Sequence, residues 1–161
     1  MNGSTLAGLG VAALGGAAIA RSVDGLFTGT GYRLPVPPAP AFCLGNVIVA
    51  RGDGIDAGSP VFRHEARHAT QFAWCGGVVM IPLYLAAAGV SWVLAGDFGA
   101  RNVFERRAGL ADGGYTDQPL RPALRRIIGF SGPGRRAPAP GRPGPGPASA
   151  ARDESTASPS R

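Results

Sequence analysis

The stretch 61–71 reads V-F-R-H-E-A-R-H-A-T-Q and holds His64, Glu65 and His68 in H-E-x-x-H spacing. On a helix, positions four apart share one face. Two imidazoles so placed can grip one metal ion, and a carboxylate beside them can activate a water. The chain has two histidines, both in this motif, and its glutamates are Glu65, Glu105 and Glu154 alone. That economy sets the motif apart from a chance match. Arg67 puts a charge between the histidines. Together with the small size of the chain, it is the feature that speaks for a non-catalytic, metal-binding module as the alternative to an enzyme.

A metal held by two imidazoles wants a third ligand. Outside the motif and the C-terminal tail, Glu105 is the one glutamate, so a glutamate ligand has this candidate only. Asp97, Asp112 and Asp117 are fallbacks. Glu105 also lies three residues after Asn102, the spacing of a helix capping box, and that reading competes. Gln71, one turn past His68, can hydrogen bond an imidazole or be a solvated polar residue, and both stay open. Tyr84 could point a phenol at the site, but on an apolar helix a tyrosine is more often a core residue with one satisfied hydroxyl.

Composition bounds the rest. A chain of 161 residues makes one domain with room for extensions. It has sixteen arginines and no lysine, which excludes a lysine Schiff base and a lysine-bearing phosphate loop. The net charge of +6 splits evenly between residues 1–130 and the tail 131–161. The main part is thus mildly basic and lacks Arg-aromatic interleaving, so no nucleic-acid partner is expected. Cys43 and Cys75 are too few for a disulfide framework. One bridge or two buried thiols are open, with thiols preferred.

The elements that must position the site follow in order. Residues 1–20 are uncharged and small: a signal peptide ending at Ala18-Ile19-Ala20, a short membrane helix, or a loosely packed N-terminal helix, the last preferred. Residues 22–41 carry L-P-V-P-P-A-P, which excludes helix and suggests a linker or surface strap. Residues 44–51, L-G-N-V-I-V-A-R, read as a strand. Ser59-Pro60 caps and starts a helix that runs to about Trp74, where Gly76-Gly77 stops it. Residues 77–96 hold no charge and suit either a membrane span or a buried helix beginning near Pro82. Asn102 caps a short helix through Ala108. Residues 121–130 form a last basic helix, able to pack on the domain or lie on an anionic membrane. The tail from Ser131 has no large aliphatic or aromatic residue and is expected to be disordered.

The box H-E-x-x-H-x-x-Q, the apolar stretch with Pro82 and Tyr84, and then N-x-F-E-x-x-A resemble small bacterial metallopeptidase-like proteins. They are similar to the H-E-x-x-H domain associated with extracellular contractile injection systems and, more broadly, to the gluzincins. The resemblance covers residues 42–117. It implies zinc held by His64, His68 and Glu105, with Glu65 as general base and a peptide or protein as substrate.

The expected fold is α+β and mainly helical: a minimal zincin-like domain at 42–118, with a short strand or hairpin before the H-E-x-x-H helix. An apolar segment (1–22), a Pro-rich linker (23–41), a basic helix (119–130) and a disordered tail (131–161) flank it. The expected function is a zinc metallopeptidase. A metal-binding assembly module, or a small membrane-associated protein with an incidental motif, is the alternative. Compartment is not assigned, and membrane association is left open. One constraint links the readings. If residues 77–96 cross a bilayer once, His68 and Glu105 end about 30 Å apart. A glutamate-completed site therefore requires that run to fold back.

Overall fold

The computed structural model describes residues 3–127. Its centre is strand β4 (Val47–Ala50), buried along its whole length. Alternate side chains of a strand face opposite sides, and both sides of β4 are apolar. Val47 and Val49 face one core with Ala12 and Tyr32, while Ile48 faces another with Leu26, Phe62 and Ala69. A strand with two dry faces needs a layer on each. Helix α1 (Gly3–Leu14) covers the first face and helix α2 (Pro60–Trp74) the second.

The sheet has four strands in the order β1-β2-β4-β3, with β1 at Ala18–Arg21, β2 at Phe27–Thr30 and β3 at Ala41–Leu44. β2 pairs parallel with β4, and the other two pairings are antiparallel. β3 and β4 form a hairpin over the two-residue loop Gly45-Asn46, with Leu44 opposite Val47. A strand or a hairpin was expected here, with one strand over 44–51; the turn at Gly45-Asn46 divides that stretch between β3 and β4, and the two strands N-terminal to the hairpin were not expected. Ala18-Ile19-Ala20, weighed as a cleavage site, lies in β1. Thr28-Gly29-Thr30, assigned to the linker, lies in β2. Its small polar residues carry no strand pattern, and they suit the place because α1 runs close above them. A Cβ on Gly29 would sit 3.3 Å from those of Ala12 and Ala17. Only the Pro-rich part behaves as a strap. It is tied down by Arg51, which donates to the carbonyls of Pro37 and Ala39.

The N-terminal helix is therefore a packed layer of the domain rather than a loose segment. Its seam with the hairpin is tight at Gly8, where a Cβ would lie 2.2 Å from the Leu44 carbonyl oxygen.

Beyond the sheet the chain is helical. α2 begins as its sequence prescribes: Ser59 Oγ accepts from the Phe62 amide at 3.1 Å and Pro60 takes the first turn. α3 spans Met80–Ala95, two residues earlier than Pro82 suggested, since a proline in the first turn removes only an amide that has no helical partner. α4 (Val103–Ala108) packs on α2 and α3, and α5 covers Pro122–Ile127. The domain is α+β and mainly helical. Among the described residues no helix is long and apolar enough to cross a membrane. The run 77–96 folds back, so that α4 returns to α2. Cys43 and Cys75 are separate, half-buried free thiols. The expectations for residues 128–161, including the disordered tail, lie outside the described residues.

Gly8→Ala is expected to destabilise the fold by about 1–3 kcal/mol through overpacking against the Leu44 backbone. Denaturant unfolding measures it. An unchanged midpoint would mean that α1 does not seal the sheet.

Candidate metal centre

α2 buries His64, Glu65 and His68 on its inner face. Four residues apart on one helix, the imidazoles approach with their Nε2 atoms 3.1 Å apart. α4 brings Glu105, also buried, to the same point. Glu105 Oε2 lies 3.1 Å from His64 Nε2, and Oε1 lies 3.5 Å from His68 Nε2. One ligand atom from each residue lies within 4.8 Å of the others.

The far side of each ring fixes its tautomer. His64 Nδ1 is 3.0 Å from the Gly109 carbonyl oxygen, which can only accept, so Nδ1 carries the proton. His68 Nδ1 is 2.8 Å from Gln71 Oε1. The Gln71 amide nitrogen donates to the Phe104 carbonyl, which turns the amide oxygen toward His68. His68 Nδ1 is therefore also the donor. Both Nε2 atoms are left as lone pairs, aimed at each other and at a carboxylate. Glu105 Oε2 accordingly has no hydrogen-bond donor although His64 is in contact with it. Three buried acceptors converge with no proton among them. A cation resolves that arrangement, so His64, His68 and Glu105 fit a metal ion, each through a group of the right chemistry.

Other residues hold these three. The Tyr84 hydroxyl, on α3, donates to Glu105 Oε1. Burial alone would raise the Glu105 pKa, but the facing imidazoles of His64 and His68, which can take up a proton toward it, and the Tyr84 hydroxyl outweigh burial and hold the carboxyl down at about 2. Burial likewise works against a charged His64, yet the neighbouring Glu105 raises its pKa above 6.5. Tyr84 is pushed up by burial and by the Glu105 charge.

Arg67 turns away from the metal-facing side. It donates to the Ala108 carbonyl at 2.6 Å and to Asp112 Oδ2 at 2.7 Å. These bonds pin the loop that supplies the Gly109 carbonyl to His64. In the same loop Gly113 lies flat on the His64 ring, where a Cβ would come within 2.5 Å of Cε1. The charge that seemed to argue against catalysis thus anchors the support of a ligand.

The fallback carboxylates are engaged elsewhere. Asp97 accepts from the Gly99 and Ala100 amides, Asp112 pairs with Arg67 and Arg63, and Asp117 pairs with Arg106 and Arg101. Asn102 caps α4 by accepting from the Phe104 amide, but Glu105 does not close the box, because it faces the histidines. Two features had no usable signal in the sequence. Gly109 works through its backbone oxygen. Tyr115 brings its ring centroid to 6.1 Å from that of His64, and burial with the charges of Glu105 and Glu65 pushes its hydroxyl up to about 12. A glycine pair before Tyr115 was the only local hint.

Glu65 differs from its neighbours. Among the described residues no hydrogen bond engages its carboxylate. Burial raises its pKa, opposed by the charges of His68 and His64. Burial also raises the Cys43 thiol on β3, and the Glu65 charge adds to the effect.

Two outcomes are expected. Arg67→Ala should weaken metal binding by about tenfold or more by releasing the Gly109 loop. Competition with a chromophoric chelator measures it, and an unchanged affinity would disconnect the loop from the site. Because the His64 pKa is raised, a proton occupies that ligand in the metal-free protein below its shifted value. Metal affinity should therefore climb by about tenfold per pH unit as the pH rises toward that value, then level off above it.

In comparisons with protein-family models, with curated proteins and with solved structures, the chain matches none.

Proposed function

We propose that the protein is a zinc metallopeptidase of the gluzincin type, with His64, His68 and Glu105 as ligands and Glu65 as general base. The observation that supports it best is Glu65: a buried carboxylate with no hydrogen bond among the described residues, next to a ligand set of three. Structural zinc sites nearly always use four protein ligands, whereas catalytic ones use three and leave one position open. Among the described residues the cluster has three members. Of the two supports for the binding-module alternative, the small size of the chain stands, while Arg67 has another employment here.

A bound zinc ion would supply Lewis acidity, lowering the pKa of a water and polarising a peptide carbonyl. The chain's own residues do the rest. Glu65 takes the proton of the attacking water and returns it to the leaving amine; its raised pKa brings it nearer the range where both transfers are effective. Gly109 and Gln71 keep the two imidazoles in the ligating tautomer. Tyr84 holds Glu105 in place. The stretch 44–51, which as a single strand could pair with an extended peptide at a sheet edge, instead holds the end of β3, a turn and the interior strand β4. The outer strand on that side is β3, which packs along α2, and it takes over this role.

Glu65→Gln is expected to retain one zinc per chain while losing about a hundredfold or more in peptide cleavage. Metal analysis and turnover of a mixed peptide library on the same sample test it. Zinc retention with no cleavage by the unaltered protein would reduce the site to a binding module.

A further inference from the structure

α3 gives the protein only a narrow stripe. Met80, Ala88 and Ser91 are buried, and Tyr84, Ala87, Leu94 and Ala95 are half-buried. At 100° per residue these seven positions fall within an arc of about 120°. The remaining circumference is exposed and apolar. Ile81, Leu83, Leu85, Val90, Trp92 and Val93 are between 38% and 63% accessible, and no charged residue occurs from Gly77 to Gly96. A protein partner usually takes one stripe of a helix, roughly 100° wide. An apolar arc about twice that width suits a medium that surrounds the helix. Sixteen residues rise about 24 Å, short of the ~30 Å hydrocarbon core, so such a helix lies in the interface rather than across it.

The C-terminal end of α3 carries the chemistry of a headgroup contact. Trp92 and Phe98 stack with ring centroids 6.4 Å apart, and the Arg121 guanidinium lies over Trp92 at 5.0 Å. The Arg121 amide donates to the Leu94 carbonyl, which joins α5 to this end. α5 then adds the exposed Arg125 and Arg126 with no acidic residue. The acid nearest in sequence, Asp97, is taken up by the Gly99 and Ala100 amides. Indole and guanidinium groups beside an apolar helix are the side chains that anchor at an interface.

We propose that α3 docks the protein on the surface of an anionic bilayer, lying in the headgroup plane with Trp92, Phe98 and Arg121 as its anchor. The inner stripe of the same helix carries Tyr84, so the docked element also holds Glu105. The proposal does not depend on the nature of the metal or on catalysis.

The full chain is mixed with vesicles of phosphatidylcholine alone or with added phosphatidylglycerol, and flotation is measured. It should float with the anionic vesicles only. Val90→Ser with Val93→Ser should lower that affinity about tenfold or more, and Arg121→Gln should weaken it and flatten its salt dependence. Both variants alter exposed positions, and an unchanged thermal transition shows that they remain folded. In a Trp74→Phe background, Trp92 emission should shift to the blue on anionic vesicles alone. Absence of flotation, or equal binding to neutral vesicles, would overturn the proposal. So would a stable dimer in solution that the valine substitutions make monomeric, because a second copy would then cover the arc.

Discussion

Three buried acceptors point at one place with no proton between them. His64 Nε2, His68 Nε2 and Glu105 Oε2 are brought together by two helices, and each ring spends its proton on the opposite side. Buried acceptors in contact repel unless a cation lies among them. In the metal-free protein a proton on His64 meets that need, which is why its pKa is raised. A metal ion meets it better, through three ligands at once. The organisation of the domain around α2 and α4 can be understood from this requirement.

Holding such a cluster takes more structure than the ligands themselves. Ile48 of the sheet and the neighbouring Leu26 pack against Phe62 and Ala69 of α2 and hold that helix in place. Arg67 fixes the loop whose carbonyl orients His64, and Gln71 couples His68 to the α4 backbone at Phe104. α3 reaches the site through Tyr84 alone, yet that bond fixes Glu105. A helix that turns one stripe to the protein is free to present its other sides outward.

The parts legible in the sequence were those with local causes. Ser59-Pro60 and Gly76 bound α2 because capping and left-handed backbone are decided within a few residues. Glu105 could be singled out because glutamates are so scarce in this chain. β1 and β2 were not legible. Ala18–Arg21 and Phe27–Thr30 have little apolar alternation, and they become strands because β4 offers β2 a partner, β2 offers one to β1, and α1 packs against them. Arg67 was misread for a related reason: its role lies in a loop more than forty residues away, and sequence spacing says nothing about that. The exposure of α3 was equally hidden, because an uncharged run of that kind looks the same whether it is buried by protein or faces outward.

The central claim is that both histidines present Nε2 lone pairs to a shared cation. With two histidines in the chain, long-range nitrogen-15 NMR reads each ring without ambiguity. Above the raised His64 pKa, the metal-free protein should show both rings as the Nδ1-protonated tautomer. One equivalent of zinc should then move both Nε2 resonances and leave both Nδ1 protons in place. A neutral ring protonated on Nε2, or Nε2 resonances indifferent to zinc, would contradict the account.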